Sequence, residues 1–158
     1  NKKILLLGCG GTGKAVAANI ASTIDNNQDL TIAVRNTKKI IQFGESLNSQ
    51  IINWDQIETI INDMDIIVNS TTLGNIDHLN DTPINYETIK KLDNKKFFFD
   101  INYQPFQTKL LKIAKEYGHK VFNGSFMNLY QAVVAFDISN NINPSNSITY
   151  QIMKDAIN

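Results

Sequence analysis

The stretch KILLLGCGGTGKA, residues 3–15, decides the fold of this chain. Its apolar run Ile4–Leu7 has the length of a β-strand that is buried on both faces. Gly8, Gly10 and Gly13 occur at the spacing G-x-G-x-x-G, and small residues then recur at the pitch of a helix. A strand, a glycine turn and a helix in that order are the setting in which this spacing binds a dinucleotide. The alternative is a glycine-rich turn in an α/β domain that binds no ligand.

The three glycines of this fingerprint have separate predicted roles. Gly8 allows a tight turn out of the strand, Gly10 lets the backbone approach a pyrophosphate, and Gly13 lets the helix and the strand pack closely. The N-terminus of the helix then offers unpaired N–H groups and positive partial charge to the phosphates. We therefore expect a dinucleotide to place its pyrophosphate over this turn.

The composition argues against several classes of partner. The chain has 158 residues, the size of one domain, and carries 15 basic and 15 acidic side chains. This balance gives no electrostatic reason to expect nucleic acid or a membrane surface as a partner. The apolar runs are also too short to span a bilayer, so we predict no membrane partner.

Cysteine and histidine are too sparse to predict a disulfide or a metal site. Cys9 is the single cysteine, which excludes an intrachain disulfide and fits a reducing cytoplasm. Its position between two glycines favours a small residue under a tight turn over a reactive thiol. His78 and His119 lie far apart in the sequence, so we predict no metal site.

The beginning of the chain is typical of a cut or trimmed end. The sequence has no initiating methionine and reaches its first core strand within a few residues. We expect it to be a piece of a longer protein or a product trimmed at its front. No cleavable signal pattern precedes the strand, which also favours the cytoplasm.

A second predicted strand, Leu30–Val34, leads into a basic segment formed by residues 35–39. In dinucleotide folds this position meets the adenosine ribose, where an acid favours NAD and an arginine accommodates the 2′-phosphate of NADP. No acidic residue occurs from Leu30 to Gln42, and an arginine fork can clamp a phosphate. The segment consists of Arg35, Asn36, Thr37, Lys38 and Lys39. We predict an NADP site here, and the alternative is a solvated basic turn.

Strands and helices alternate along the rest of the chain. The further predicted strands are Gln50–Asn53, Asp65–Asn69, Lys96–Ile101 and His119–Phe122. The further predicted helices are Lys38–Leu47, Trp54–Asn62 with Asp55 as its N-cap, Tyr86–Lys91, Thr108–Tyr117 with Gly118 as a left-handed C-cap, Phe126–Ile138 and Ser145–Ile157. The alternation predicts a doubly wound, mostly parallel α/β sheet of the Rossmann type, with strand order 3-2-1-4-5-6 and helices on both faces.

Two features at the carboxyl ends of strands are candidates for contact with a ligand. The loop Ser70–Asn75 follows the fourth strand, at the switch point of the fold. Its hydroxyl groups, Thr71 among them, either reach the ribose or nicotinamide of the cofactor or cap a helix. Asp100 ends the fifth strand at the same edge, and we favour a capping role for its carboxylate over a direct part in chemistry.

Five sequence blocks, by their order and spacing, resemble the C-terminal, NADP-binding half of the shikimate dehydrogenase family. The resemblance covers nearly the whole chain and is more specific than the glycine spacing alone. The blocks are Gly8–Thr12 (family pattern G-A-G-G-A), Val34–Thr37 (N-R-T), Asn69–Gly74 (N-A-T-P-x-G), Asp100–Leu111 (D-x-x-Y-x-P-x-x-T-x-L-L) and Asn123–Ala132 (N-G-L-G-M-L-V-Y-Q-G).

The resemblance implies roles for individual residues toward the cofactor. Arg35, Thr37 and Lys39 would surround the 2′-phosphate, and Ile101 and Gly124 would lie beside the nicotinamide. The pyrophosphate would be held by Gly8, Cys9, Gly10, Gly11 and Thr12.

Two further residues would reach the substrate. Tyr103 and Gln131 can read a polyhydroxylated ring by hydrogen bonds. The alternative for Gln131 is a polar residue of a core helix whose side chain bonds to the backbone. Phe126 and Ala132 replace family glycines near the nicotinamide, and we expect Phe126 to narrow the pocket there.

In that family the intact enzyme reversibly reduces 3-dehydroshikimate to shikimate with NADPH, a step of aromatic amino acid biosynthesis. Its catalytic lysine and aspartate belong to an N-terminal domain, and nothing in this chain resembles that domain. The resemblance therefore implies that the chain binds NADP(H), has no catalytic residue and is inactive alone, while the polyhydroxylated acid substrate needs the missing domain. The alternatives are a quinate dehydrogenase-like oxidoreductase and a stand-alone NADP-sensing or partner-docking module.

The resemblance also implies a domain organisation. Residues 1–158 would form one NADP-binding domain, with the helix in residues 145–158 packing on the N-terminal domain. In the isolated chain one apolar stripe of that helix would stay uncovered, and a homodimer is one way to cover it.

Overall fold

A computed structural model describes residues 2–143 and 148–156 of the chain. Its strands are β1 (Ile4–Leu7), β2 (Leu30–Val34), β3 (Gln50–Asn53), β4 (Ile66–Asn69), β5 (Phe97–Asp100) and β6 (Lys120–Asn123). They form one parallel sheet in the order β3-β2-β1-β4-β5-β6. The predicted doubly wound sheet and its strand order are confirmed.

Helices follow the strands as the alternation predicts. The α-helices of the described residues are α1 (Gly11–Thr23), α2 (Ile41–Ser46), α3 (Ile57–Ile60), α4 (Tyr86–Lys90), α5 (Lys109–Glu116), α6 (Ser125–Ser139) and α7 (Thr149–Asp155). Short 3₁₀ turns occupy Asn27–Asp29, Thr37–Lys39, Trp54–Gln56 and Ile61–Asp63. The predicted helices 38–47 and 54–62 are therefore shorter α-helices that begin with 3₁₀ turns.

The core lies on both faces of the sheet. Successive side chains of a strand point to opposite faces, so the fully apolar β1 contributes to two clusters. Leu5 and Leu7 belong to the cluster that α3, α4 and α5 cover, whereas Ile4 and Leu6 belong to the cluster that α1 and α2 cover. The apolar run that opens the chain is therefore the central strand of the fold.

The N-cap predicted at Asp55 is wrong. The cap is Asn53, whose Oδ1 accepts a hydrogen bond from the Trp54 N–H at 2.6 Å. Gln56 Oε1 accepts from the Asn53 N–H at 2.9 Å and completes a capping box. The spacing Asn-x-x-Gln decides the position of the cap, because each of these side chains accepts a hydrogen bond from the backbone of the other residue. The left-handed C-cap at Gly118 is confirmed, with φ of 75°.

Residues 1–123 form one compact unit, and residues 124–158 form a second. The first unit contains the sheet and helices α1 to α5. The second contains α6 and α7. Of the predicted helix 145–157, Thr149–Asp155 forms α7, and residues 145–147 and 157 lie outside the described residues. Each unit is a separate cluster of contacts.

Within the second unit, α6 and α7 are joined by polar and aromatic contacts. Thr149 Oγ1 donates to Asp137 Oδ1 at 2.7 Å, and both residues are buried. The rings of Tyr130 and Tyr150 stack with centroids 4.8 Å apart. The exposed side of α6 carries large apolar side chains every four residues, at Phe126, Tyr130, Val134 and Ile138.

Candidate cofactor site

The glycine turn begins at a backbone conformation that favours glycine. Gly8 directly follows β1 and has φ of 89°, in the left-handed region. A Cβ atom at this position would lie 2.8 Å from Thr71 Cγ2, so a side chain would also collide with the loop after β4. The Gly8 N–H donates to the Ala33 carbonyl at 2.9 Å, which ties the turn to β2. The structure gives Gly8 the turn that the spacing predicts.

Gly13 has the packing role that the fingerprint predicts. A Cβ atom here would lie 2.7 Å from Ser70 Oγ and 3.1 Å from the Gly8 carbonyl oxygen. Ser70 Oγ in turn donates to the carbonyls of Leu7 at 2.9 Å and Gly8 at 3.1 Å. The absence of side chains at Gly8 and Gly13 therefore lets helix α1, the turn and the loop after β4 pack closely, and the Ser70 hydroxyl joins the loop to the turn.

The other two glycines face open space. A Cβ atom at Gly10 or Gly11 would meet no atom within 4 Å of the described chain. Gly10 is the N-cap of α1, and in the described part of the chain no side chain hydrogen-bonds this end of the helix. The first N–H groups of α1 thus remain available at the positive end of a helix of 13 residues. This arrangement suits a phosphate group.

Cys9 and Thr12 complete the turn. Cys9 is half-buried, and burial raises the pKa of its thiol, while Lys14 lowers it to a smaller extent. A thiol with a raised pKa stays protonated near neutral pH and is a poor nucleophile. The structure therefore favours the small-residue interpretation of Cys9. Thr12 is exposed beside the open glycines.

The basic segment lies at the same edge of the sheet as the glycine turn. β1 and β2 are neighbours with Leu7 paired to Ala33, so Gly8 and Arg35 follow adjacent strand ends. Thr37 is half-buried in a 3₁₀ turn, and the other four side chains of the segment are exposed. Among the described residues, no carboxylate lies within ion-pair distance of the segment's cations. Their charge is therefore available to an anionic ligand.

Arg35 has one partner that the sequence analysis does not predict. Its guanidinium carbon lies 5.9 Å from the centroid of the Trp54 ring. The parallel pairing of Val34 with Asn53 places the residues after β2 and β3 side by side. The sequence places each residue directly after a predicted strand, but only the folded sheet fixes the register that brings the two together.

The loop after β4 uses its hydroxyl groups internally. Thr71 Oγ1 donates to Asn69 Oδ1 at 2.7 Å and accepts from the Leu73 N–H at 3.1 Å. The Thr71 N–H also donates to Asn69 Oδ1, at 3.0 Å. These bonds lie within the loop and cap no helix, and the Thr71 methyl group lies against Gly8. The predicted contact of Thr71 with the cofactor stays a prediction.

Asp100 is the centre of a buried hydrogen-bond network. Its Oδ2 accepts from Thr108 Oγ1 at 2.7 Å, and its Oδ1 accepts from Asn69 Nδ2 at 3.0 Å. The backbone N–H and the side-chain amide of Asn102 also donate to Oδ1, at 3.1 and 3.0 Å. Burial raises the pKa of Asp100, and these hydrogen bonds lower it in part. The carboxylate joins the ends of β4 and β5 to the cap of α5, which is the favoured structural role.

The four remaining predicted site residues are divided between the two units. In the first unit, Ile101 is half-buried, with its N–H bonded to the Asn69 carbonyl at 3.0 Å, and Tyr103 is exposed. In the second unit, Gly124 is the buried N-cap of α6, and Gln131 is exposed on that helix. The structure brings Ile101 to the edge that holds the glycine turn.

The described residues show neither a metal cluster nor a membrane span. Within residues 2–143 and 148–156, no group of three or more His, Cys, Asp and Glu side chains is arranged to hold a metal ion. None of the helices described above is both long and apolar enough to cross a bilayer.

Comparison with known proteins connects this geometry to one group of enzymes. The family described as shikimate / quinate 5-dehydrogenase matches residues 1–105. A shikimate dehydrogenase (NADP(+)) of Methanococcus vannielii is 32% identical over 166 residues, which cover 99% of this chain and 55% of that protein. The corresponding protein of Pelagibacter ubique is 37% identical over 145 residues, 91% of this chain and 51% of its own length.

Solved structures are similar over the same extent. The shikimate dehydrogenase of Aquifex aeolicus is 30% identical with a TM-score of 0.78, over 99% of this chain and 53% of that one. A shikimate dehydrogenase in complex with NADP⁺ is 29% identical with a TM-score of 0.76, over 100% of this chain and 55% of that one. A quinate dehydrogenase from Corynebacterium glutamicum in complex with NAD is 25% identical with a TM-score of 0.76, over 94% and 53%. The chain thus spans about half the length of the relatives that it matches.

Proposed function

The chain belongs to the shikimate / quinate 5-dehydrogenase family, and from this premise we propose that it is the NADP(H)-binding half of a shikimate dehydrogenase. The whole enzyme would reversibly reduce 3-dehydroshikimate to shikimate, a step of aromatic amino acid biosynthesis, in the cytoplasm. NADPH supplies the hydride for such a reduction. Residues 1–158 would form one cofactor domain, with residues 145–158 packing on a substrate domain.

The observation that carries this proposal is the pairing of two anion sites at one edge of the sheet. The uncapped N-terminus of α1, opened by Gly10 and Gly11, offers backbone N–H groups to a pyrophosphate. Arg35 follows the neighbouring strand and has no acidic partner in the described part of the chain. An acid at that position would accept from the 2′-hydroxyl of NAD, and its absence favours the 2′-phosphate of NADP.

The roles of individual residues follow from this arrangement. Gly8, Cys9, Gly10, Gly11, Thr12 and Gly13 form the pyrophosphate turn, and Arg35, Asn36, Thr37, Lys38 and Lys39 surround the 2′-phosphate. Thr71, which is held by Asn69, would contact the cofactor from the neighbouring loop. The family resemblance supports nicotinamide contacts for Ile101 and Gly124 and substrate contacts for Tyr103 and Gln131.

A quinate dehydrogenase is the second candidate, because a quinate dehydrogenase bound to NAD is among the similar structures. The two candidates differ in the cofactor that the basic segment would bind. A cofactor without a 2′-phosphate leaves Arg35, Lys38 and Lys39 without an anionic partner, which favours the NADP enzyme. A binding module without catalysis is the third possibility, since the chain covers only about half of its relatives.

Titration and an activity assay together test the proposal. Calorimetry with the 158-residue chain should show NADP⁺ binding more tightly than NAD⁺, and the same chain should show no shikimate-dependent reduction of NADP⁺. Equal affinity for the two cofactors would contradict the NADP assignment. Measurable shikimate oxidation would contradict the assignment of catalysis to a missing domain.

A further inference from the structure

We propose that Trp54 is a positioning residue that holds Arg35 ready for the 2′-phosphate and so increases the preference for NADP over NAD. This inference rests on the proposed function, because it names the side chain that prepares the same site. Trp54 is not one of the residues that the fingerprint or the five family-like blocks contain.

The geometry of the pair supports an attractive contact. The Arg35 guanidinium carbon lies 5.9 Å from the centre of the Trp54 ring, within the distance at which a cation is attracted to an indole face. The two residues immediately follow the paired positions Val34 and Asn53 of neighbouring strands. The strand pairing therefore brings the backbones of the two residues side by side.

Trp54 is itself firmly held. Its side chain is half-buried and packs against the hydrophobic cluster that contains Ile57 and Ile61. The backbone N–H of Trp54 donates to Asn53 Oδ1 at 2.6 Å, within the capping box that Gln56 completes. A ring anchored in the core on one side can serve as a platform for an exposed guanidinium on another.

An aromatic platform suits phosphate binding better than an ion pair would. Stacking uses the π face of the partner and leaves the N–H donors of the guanidinium free for a bidentate bond. A carboxylate partner would occupy those donors and repel the phosphate. Over the described ranges, Arg35 has no carboxylate within ion-pair distance, so the indole is the contact that orders it. An arginine ordered before binding loses less conformational entropy when the phosphate arrives.

Two substitutions separate this role from simple core packing. Trp54→Leu keeps apolar bulk against the core but removes the ring, and Trp54→Phe keeps a ring. A cation–π contact at an exposed site corresponds to about a two- to fivefold change in affinity. We expect Trp54→Leu to weaken NADP⁺ binding by this factor, with NAD⁺ binding changed less than about twofold, and Trp54→Phe to recover most of the loss.

A double-mutant cycle tests whether the effect passes through Arg35. In the Arg35→Ala background, Trp54→Leu should cause no further loss of NADP⁺ affinity. Equal losses for NADP⁺ and NAD⁺, or an undiminished loss in the Arg35→Ala background, would overturn the positioning role. Failure of the unsubstituted chain to bind NADP⁺ would overturn the proposed function and this inference together, whereas normal selectivity in Trp54→Leu would overturn this inference alone.

Fluorescence gives a test that needs no variant of Trp54. Trp54 is the single tryptophan of the chain, so its emission reports directly on the platform. Adenosine 2′,5′-bisphosphate should change this emission at lower concentration than AMP, and the two titration curves should coincide in Arg35→Ala. Coincident curves in the unsubstituted chain would overturn the NADP assignment and this inference together. Tighter binding of the bisphosphate by calorimetry without any change in Trp54 emission would overturn this inference alone.

Discussion

The glycine turn and the basic segment lie at the ends of neighbouring strands, yet they are built by opposite means. The turn is fixed by close packing and internal hydrogen bonds: Gly8 and Gly13 pack against Ser70, and the loop after β4 is held by the Asp100 network. The basic segment is built from exposed side chains, and the guanidinium carbon of its arginine lies 5.9 Å from the centre of the Trp54 ring. Under the proposed function, the fold would determine where a pyrophosphate binds, and side chains would determine which adenosine ribose is accepted.

Removing the carboxylate of Asp100 should have the largest effect on stability. This carboxylate belongs to the network that supports the glycine turn. Asp100→Ala leaves the donors of Asn69, Asn102 and Thr108 without their acceptor in a buried position. We expect the free energy of unfolding to fall by about 3 kcal/mol, measured by urea denaturation. Asn36→Ala, in the exposed basic segment, is the control and should change it by less than about 0.5 kcal/mol. Similar stabilities for the two variants would contradict the role of the network.

Adding one methyl group to Gly13 should have the next largest effect. In Gly13→Ala the new Cβ meets Ser70 Oγ at 2.7 Å and the Gly8 carbonyl at 3.1 Å, so either α1 or the Ser70 hydroxyl must move away. The expected loss is about 2 kcal/mol of unfolding free energy. Gly11→Ala is the matched control, because its Cβ enters open space. If both alanine variants unfold at the same urea concentration, the close packing at Gly13 is not required.

Acid should weaken the fold through a group away from both regions, and this effect is the smallest. His119 is buried before β6, and burial, assisted by the charges of Lys95 and Lys96, lowers its pKa. The folded chain then binds fewer protons than the unfolded chain. Stability is therefore retained above the ordinary histidine pKa of about 6.5 and falls as the pH drops below it.

Unfolding midpoints between pH 7.5 and 5.5 measure this dependence. His119→Gln should flatten the decline toward low pH, whereas His78→Gln, at an exposed position, should leave it unchanged. An unaltered slope in His119→Gln would show that other groups cause the acid sensitivity.

The strands of the sheet could be predicted because each one is indicated by a short stretch of consecutive residues. Apolar runs such as Ile4–Leu7, followed by turn residues, mark each strand, and the glycine spacing identifies the first crossover. The strand order then follows from the rules for doubly wound folds. The two functional glycines, Gly8 and Gly13, could be assigned for the same reason.

Contacts between distant residues could not be predicted in the same way. The Arg35–Trp54 pair depends on the register between β2 and β3, and the Asp100 network joins residues 69, 100, 102 and 108. The wrong N-cap at Asp55 has a more local cause, because Asn53 and Gln56 form a reciprocal capping box that begins two residues earlier. The role of a polar side chain depends on its hydrogen-bond partners. A single sequence indicates those partners only when they are close along the chain.

The Arg35→Ala variant tests the central claim most directly, because it removes the side chain that should distinguish NADP from NAD. Calorimetry at low salt should show NADP⁺ binding weakened about ten- to a hundredfold, the value of a charge-assisted bond, and NAD⁺ binding changed less than about twofold. Lys112→Ala removes the same charge from the exposed side of α5 and should change neither affinity. Equal losses of NADP⁺ and NAD⁺ affinity in Arg35→Ala, or no loss of either, would contradict the account.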